Sequence, residues 1–244
     1  MKRSIQLVLC LALTGCAPPT PSETAPILLF NGTGTSPNDV KAMENILKER
    51  HLPYATVNSR QLNGMSESQL KAHHLMIIPG GNYITMGNSL TPGAATNLRN
   101  AVQGGLNYLG ICAGGLLAGN ASCNSLNLTG VRFGFYAVVN QGVHKTSVVI
   151  TGAGTPAIEH YWEDGPQFTG WGEVVGNYPD GTPAVVQGTC GEGWVVLCGV
   201  HPEAPENWRR GMNFSTSASA ANAYAGTLVE AALNRTPLPT VGNR

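Results

Sequence analysis

Two short stretches hold residues able to do covalent chemistry together. The first is Gly110-Ile-Cys-Ala-Gly114, a cysteine with a glycine two residues away on each side. An apolar run at residues 106–111 precedes the cysteine, and a small apolar run at 113–120 follows it. This is the pattern of a nucleophile elbow, where a buried strand turns abruptly into a helix and holds the middle residue in a strained backbone conformation. Side chains at the two flanking positions would collide, which accounts for the glycines. A sulfur at a helix N-terminus meets free N–H groups and the positive end of the helix dipole, and both favour the reactive thiolate. Elsewhere in an apolar run a cysteine is an inert core residue; the strand–glycine–cysteine–glycine–helix context selects Cys112 as a nucleophile. The second stretch is Gly199-Val-His-Pro-Glu203, placed directly after an apolar strand. A thiol nucleophile needs a base, and the base needs an orienter. His201 can lean from the strand end as that base, and Glu203 can accept its second N–H and fix the tautomer. A solvated loop His–Glu pair is the competing reading; the order cysteine, then His-x-Glu, carries the catalytic one.

Several elements must position these residues. Residues 26–30 form an apolar strand, followed by a loop and by a Ser36–Pro37 start signal for a helix over 37–50, with Val40, Met43 and Leu47 at helical spacing. Strands are expected at 54–57 and 74–78. A capping box at Ser66 and Gln69 opens a short helix between them, and Thr91-Pro92 opens another helix before the elbow strand. Strand–helix alternation to about residue 120 predicts a mostly parallel sheet with helices on both faces. Ligands of such sheets sit at the carboxyl ends of the strands, where Pro79-Gly80-Gly81 and Cys112 both fall. After residue 120 the chain is β-rich, with strands expected over 131–140, 145–151, 172–176, 184–187 and 194–200 and a hairpin turn at 189–193. A helix is expected over 218–233, then a frayed tail from 237.

The chain has 244 residues, zero formal net charge and 11% charged residues, so nothing points to a nucleic-acid partner. Lys2 and Arg3 precede a short apolar run at 5–13, too short to span a bilayer. Leu13-Thr-Gly-Cys16 resembles a bacterial lipobox. That resemblance implies a signal peptide at 1–15 and lipid on Cys16; a linker is expected at 16–25, a folded domain at 26–235 and a tail at 236–244. Ala17 rather than Asp after the cysteine implies an anchor in the outer membrane, facing the periplasm. An ordinary secretory signal is the alternative. Of the remaining cysteines, Cys123, Cys190 and Cys198 permit at most one disulfide. His73-His74 starts a strand without ligand-like neighbours, so no metal site is expected.

Pro79-Gly-Gly81, Gly110-Ile-Cys-Ala-Gly-Gly115, the 161–168 segment from Tyr161 through Gly165-Pro166 to Phe168, and Gly199-Val-His-Pro-Glu203 occur in that order. Together they resemble a class I glutamine amidotransferase-like domain, and more closely the N-terminal domain of some biotin–protein ligases and of stand-alone bacterial proteins. The resemblance implies an α/β, flavodoxin-like fold with a β-rich C-terminal half. It implies Cys112 as nucleophile, His201 as general base and Glu203 as its orienter. Backbone N–H groups of Ala113 and of Gly80 or Gly81 would form an oxyanion hole. Asn82, Tyr83 and the 161–165 loop would shape the pocket, with Tyr161 equally readable as packing. One position departs from the glutamine-using pattern: Leu116 stands four residues after the nucleophile, where a substrate-holding Gln is usual. No Gly-Arg-Gly-type adenylate loop is present, so biotin ligation is not expected. The reading is thus an exported cysteine hydrolase of amide type, without a cofactor, taking a small-molecule or peptide-like amide. A non-catalytic, ligand-binding envelope lipoprotein on the same scaffold is the alternative. The sequence carries no signal for an oligomeric state.

Overall fold

A computed structural model describes residues 24–152 and 157–242. The proposed signal peptide and Cys16 lie outside the described residues. In chain order the elements are β1 (Ile27–Phe30), α1 (Pro37–Glu49), β2 (Tyr54–Val57), α2 (Ser59–Asn63), α3 (Glu67–Leu70), β3 (Leu75–Ile78), α4 (Tyr83–Ser89), α5 (Pro92–Gln103), β4 (Asn107–Ile111) and α6 (Ala113–Ala118). Then follow β5 (Gly134–Phe135), β6 (Lys145–Gly152), β7 (Ile158–Glu163), β8 (Pro166–Gln167), β9 (Glu173–Asn177), β10 (Pro183–Cys190), β11 (Gly193–Cys198) and α7 (Ala218–Asn234).

Nine strands form one mixed sheet in the order β2-β1-β3-β4-β11-β10-β9-β6-β7. The first five in that order run parallel. From β11 outward the pairs are antiparallel. The parallel strands are apolar on both faces, as strands covered by helices on each side must be. Leu28, Phe30, Met76, Ile78 and Tyr108 face a core shared with α5 and α6. Ile27, Leu29, Leu75, Ile77 and Leu109 face a second core shared with α1 and α7. The helix starts lie where the cap signals put them: Ser36, Ser66 and Thr91 each accept a backbone N–H from the third residue of the following helix.

Three expectations change. The strand expected over 131–140 narrows to Gly134–Phe135, paired with β8, and gives way to a 3-10 turn at Ala137–Gln141. Tyr136 there stacks on Tyr178 at 3.9 Å and meets Trp162 edge-on, so its ring packs a core while the backbone leaves the ladder. The 161–165 segment, read as a loop, is largely strand: β7 pairs with β6 along its length. The tail is not frayed through residue 242. Leu238 N–H donates to Gln187 Oε1, Gln187 Nε2 donates back to Leu238 O, and Val241 N–H reaches Val174 O. Cys112, Cys123, Cys190 and Cys198 are all free, so no bridge forms among the described residues. Among those residues no helix is long and apolar enough to cross a membrane.

Candidate functional site

Four neighbouring parallel strands, β1, β3, β4 and β11, end on the same side of the sheet. The loops and turns after them carry Ser36 and Asp39, Gly80 and Gly81, Cys112, and His201. Chain connectivity therefore brings together residues that lie 162 positions apart. The antiparallel half closes over this end. His201 N–H donates to Tyr161 O at 2.8 Å, so the tip of β7 docks beside the end of β11 and brings Glu163 and Asp164 with it.

Cys112 has the elbow conformation, with φ 48° and ψ −107° between β4 and α6. A non-glycine residue with positive φ is strained and persists only when its surroundings hold it. Here Cys112 N–H donates to Cys198 O at 2.8 Å, and the buried Tyr108 hydroxyl donates to Gly114 O at 2.7 Å. The glycines are required by close approach: a Cβ on Gly114 would run into the Ile78 carbonyl, and one on Gly110 would come within 2.7 Å of Gly114 backbone. The sulfur lies 3.6 Å from Glu163 O. Ala113 is the first residue of α6, and the first N–H groups of a helix have no acceptor within it.

His201 is buried, and its Nδ1 faces two carboxylates. Glu203 Oε1 accepts at 2.9 Å, and Asp39 Oδ1 lies 3.1 Å away. The Asp39 contact is electrostatic rather than an aligned hydrogen bond, since Oδ1 accepts none. With Nδ1 so occupied, Nε2 is left for Cys112. Burial alone would lower the His201 pKa. The Cys112 sulfur, then Glu203 and Asp39, overturn this and hold it well above 6.5. Burial pushes Glu203 up, and its Oε2 has no partner. Burial also opposes ionisation of Asp39, but His201 outweighs it and draws the carboxyl below its ordinary value. Asp39 is thus the more readily charged of the two, a role the sequence reading gave to Glu203 alone. Gly80 permits this arrangement, because a Cβ there would overlap Asp39 Oδ1 and crowd the imidazole.

The cluster opens into a cavity of about 380 Å³. Cys112, His201, Ala113, Gly81, Asn82 and Tyr83 line it, as do Leu116, Ser36, Asp39, Phe135, Glu163 and Asp164. Asn82 caps α4 through Thr85 N–H, which fixes it at the rim. Gly80 and Tyr161 stand one layer back. Tyr161 packs edge-on against His201 at 5.8 Å and donates its hydroxyl to Glu163 Oε2 at 2.6 Å. Asp39 was the residue missed. Its signal was positional: it sits three residues after a helix cap at the carboxyl end of the first strand of a parallel sheet. Asp39, His201 and Glu203 offer three ligand atoms within 4.8 Å of one another. The imidazole occupies the space between the two carboxylates, so the trio reads as an ion cluster around His201.

Residues 25–133 match the family described as biotin-protein ligase, N terminal, in line with the sequence resemblance. No curated protein matches the chain in sequence. Among solved structures, a glutamine amidotransferase shares the fold with TM-score 0.58 at 18% identity, over 73% of this chain and 90% of that one. A protein assigned to GMP synthase from Thermoplasma acidophilum follows, with TM-score 0.54, 11% identity and coverage of 86% and 95%. A beta-galactosidase from Bacillus circulans sp. alkalophilus is similar over 88% of this chain but only 32% of its own, with TM-score 0.56 and 13% identity. The likeness to all three is one of fold, an α/β domain with a mixed sheet and a β-rich C-terminal half, and the first of them is a glutamine amidotransferase.

Proposed function

We propose that this protein is a cysteine-dependent hydrolase of amide or related acyl bonds. The carrying observation is that Cys112, His201 and Asp39 line one cavity, with Glu203 bonded to the imidazole behind it and the cysteine on a strained elbow. In this reading the Cys112 thiolate attacks the acyl carbon. The oxyanion that forms is held by the Ala113 N–H and the Gly81 N–H across the cavity. His201 Nε2 gives its proton to the departing amine as the C–N bond breaks, leaving a thioester on Cys112. His201 then takes a proton from water, whose oxygen attacks the thioester and releases the acid and the thiolate. Asp39 and Glu203 hold the imidazole and offset its positive charge. Leu116 lines the cavity where a glutamine-holding side chain would stand, so free glutamine is not the substrate of this reading.

The test is trapping of the acyl-enzyme. Protein incubated with a panel of aryl amides and esters should gain an acyl mass on Cys112 that hydroxylamine removes, and Cys112→Ser should not form this thioester. Ammonia release from free glutamine should stay far below an ordinary turnover of about ten per second. Glutamine turnover at that rate would contradict the substrate part of the reading. Absence of any adduct on Cys112 across the panel would contradict the hydrolase itself.

A further inference from the structure

We propose that the substrate presents a cation, a primary ammonium or guanidinium group, to Glu163 and Asp164 beside Cys112. This deepens the hydrolase reading and rests on it, since the cation belongs to the molecule attacked at the sulfur. Three of the cavity's lining residues are carboxylates, Asp39, Glu163 and Asp164, and among the described residues none that lines it is Lys or Arg. Among the described residues His201 is the one cationic group of that lining, and it already faces the Cys112 sulfur, Glu203 and Asp39. The positive end of α1 also points toward this region, but Asp39 in its first turn offsets it.

Glu163 is not consumed by a basic neighbour. Lys145 stands opposite it in the β6–β7 ladder, yet among the described residues the two make no ion pair, and the polar side-chain contact of Glu163 is the Tyr161 hydroxyl. Asp164 follows at φ 42°, in the left-handed region, held by its N–H to His144 O at 2.9 Å and by its carboxylate to His144 Nδ1 at 2.9 Å. A further feature of the cavity points the same way. Asp39 is 6% exposed, lines the cavity, and has an Oδ1 that accepts no hydrogen bond. His201 Nδ1 meets its charge at 3.1 Å, but no N–H or O–H is aligned on that oxygen, and a buried carboxylate oxygen short of a donor is costly.

The aromatic part of the same lining fits this occupant. Tyr83 and Phe135 meet edge-to-face at 6.4 Å, and Phe135 is 45% exposed. Aromatic faces attract ammonium and guanidinium groups. Leu116 offers an apolar surface for the methylene stem that would connect such a cation to the amide. A free carboxylate on the substrate would find no Lys or Arg among the described residues of this lining.

Charged thiol reagents test this directly. Methanethiosulfonates bearing an ethyltrimethylammonium, an ethylsulfonate or a neutral methyl group would be reacted with the purified protein. Modification of Cys112 would be read by peptide mass, and each rate divided by that reagent's rate with a small free thiol. The expected result is a normalised cationic rate at least about tenfold above the anionic one, within the range by which a charged cleft enriches a counter-ion. Raising sodium chloride from about 20 mM to about 500 mM should bring the ratio close to one. So should Asp164→Asn combined with Glu163→Gln. The salt series needs no variant, so a folding defect would leave it intact. Equal normalised rates for all three reagents at low salt would overturn the proposal while leaving the hydrolase reading in place. Failure of even the neutral reagent to modify Cys112 would overturn both.

Discussion

His201 is held by two carboxylates that reach it from different directions. Glu203 comes from two residues along the same turn and was legible from the motif, because a His-x-Glu at a strand end has a local geometric reason. Asp39 comes from α1, on the far side of the parallel sheet order, and no local pattern in the sequence joins it to position 201. Only the sheet order β1-β3-β4-β11, with all four strands ending on one side, does so. The two carboxyls divide the work by environment: Asp39 is drawn below its ordinary pKa and Glu203 pushed above it. Loss of either should therefore be partly covered by the other. Alkylation of Cys112 by iodoacetamide near pH 6.5 should slow by about tenfold in Asp39→Asn and by less in Glu203→Gln. The double variant should fall about hundredfold, to the level of His201→Ala. A double variant no slower than Glu203→Gln alone would show that Asp39 does not act on the imidazole.

At the scale of elements, the elbow is where sequence and structure agree most closely, because its constraint is steric and entirely local. Gly114 packs against the Ile78 carbonyl of β3, so one added methyl must push α6 away from the strand. Gly114→Ala should cost about 1–3 kcal/mol in chemical denaturation. It should also slow Cys112 alkylation, since the turn that aims the sulfur is displaced. Unchanged stability would mean that α6 is free to shift. The β-rich half was read less well for a reason visible in its side chains. In β7, His160, Tyr161 and Trp162 are buried in succession. Tyr161 is buried by the docking of the strand tip onto His201, so the simple alternation that marks a half-buried strand is absent. Residues 131–140 carry β-forming types, but Tyr136 is drawn into an aromatic stack, and sheet pairing stops one residue before it. In both places tertiary packing outweighs local propensity.

At the scale of the whole molecule, the site forms where the carboxyl ends of the parallel half meet the tip of the folded-over antiparallel half. The first half was legible from strand–helix alternation and cap signals. The closure was not, because it depends on one backbone pairing between Tyr161 and His201. The domain begins at β1 a short distance after Cys16, and we propose that lipid on this cysteine tethers the hydrolase to the cell envelope. Metabolic palmitate labelling should mark the wild type and not Cys16→Ser; equal labelling of both would remove the anchor from the reading.

The catalytic assignment of Cys112 is tested most directly by competition among the protein's own thiols. Burial raises the pKa of Cys123 and Cys190, and pushes Cys198 up to about 12. Cys112 alone stands on the elbow, facing a histidine whose proton is held by its neighbours. Limiting iodoacetamide on the native protein near pH 6.5, read by peptide mass, should modify Cys112 first, and His201→Ala should slow that modification with little effect on the other three. Cys112 modified no faster than Cys123, with a rate indifferent to His201→Ala, would contradict the hydrolase and leave a binding protein on the same scaffold.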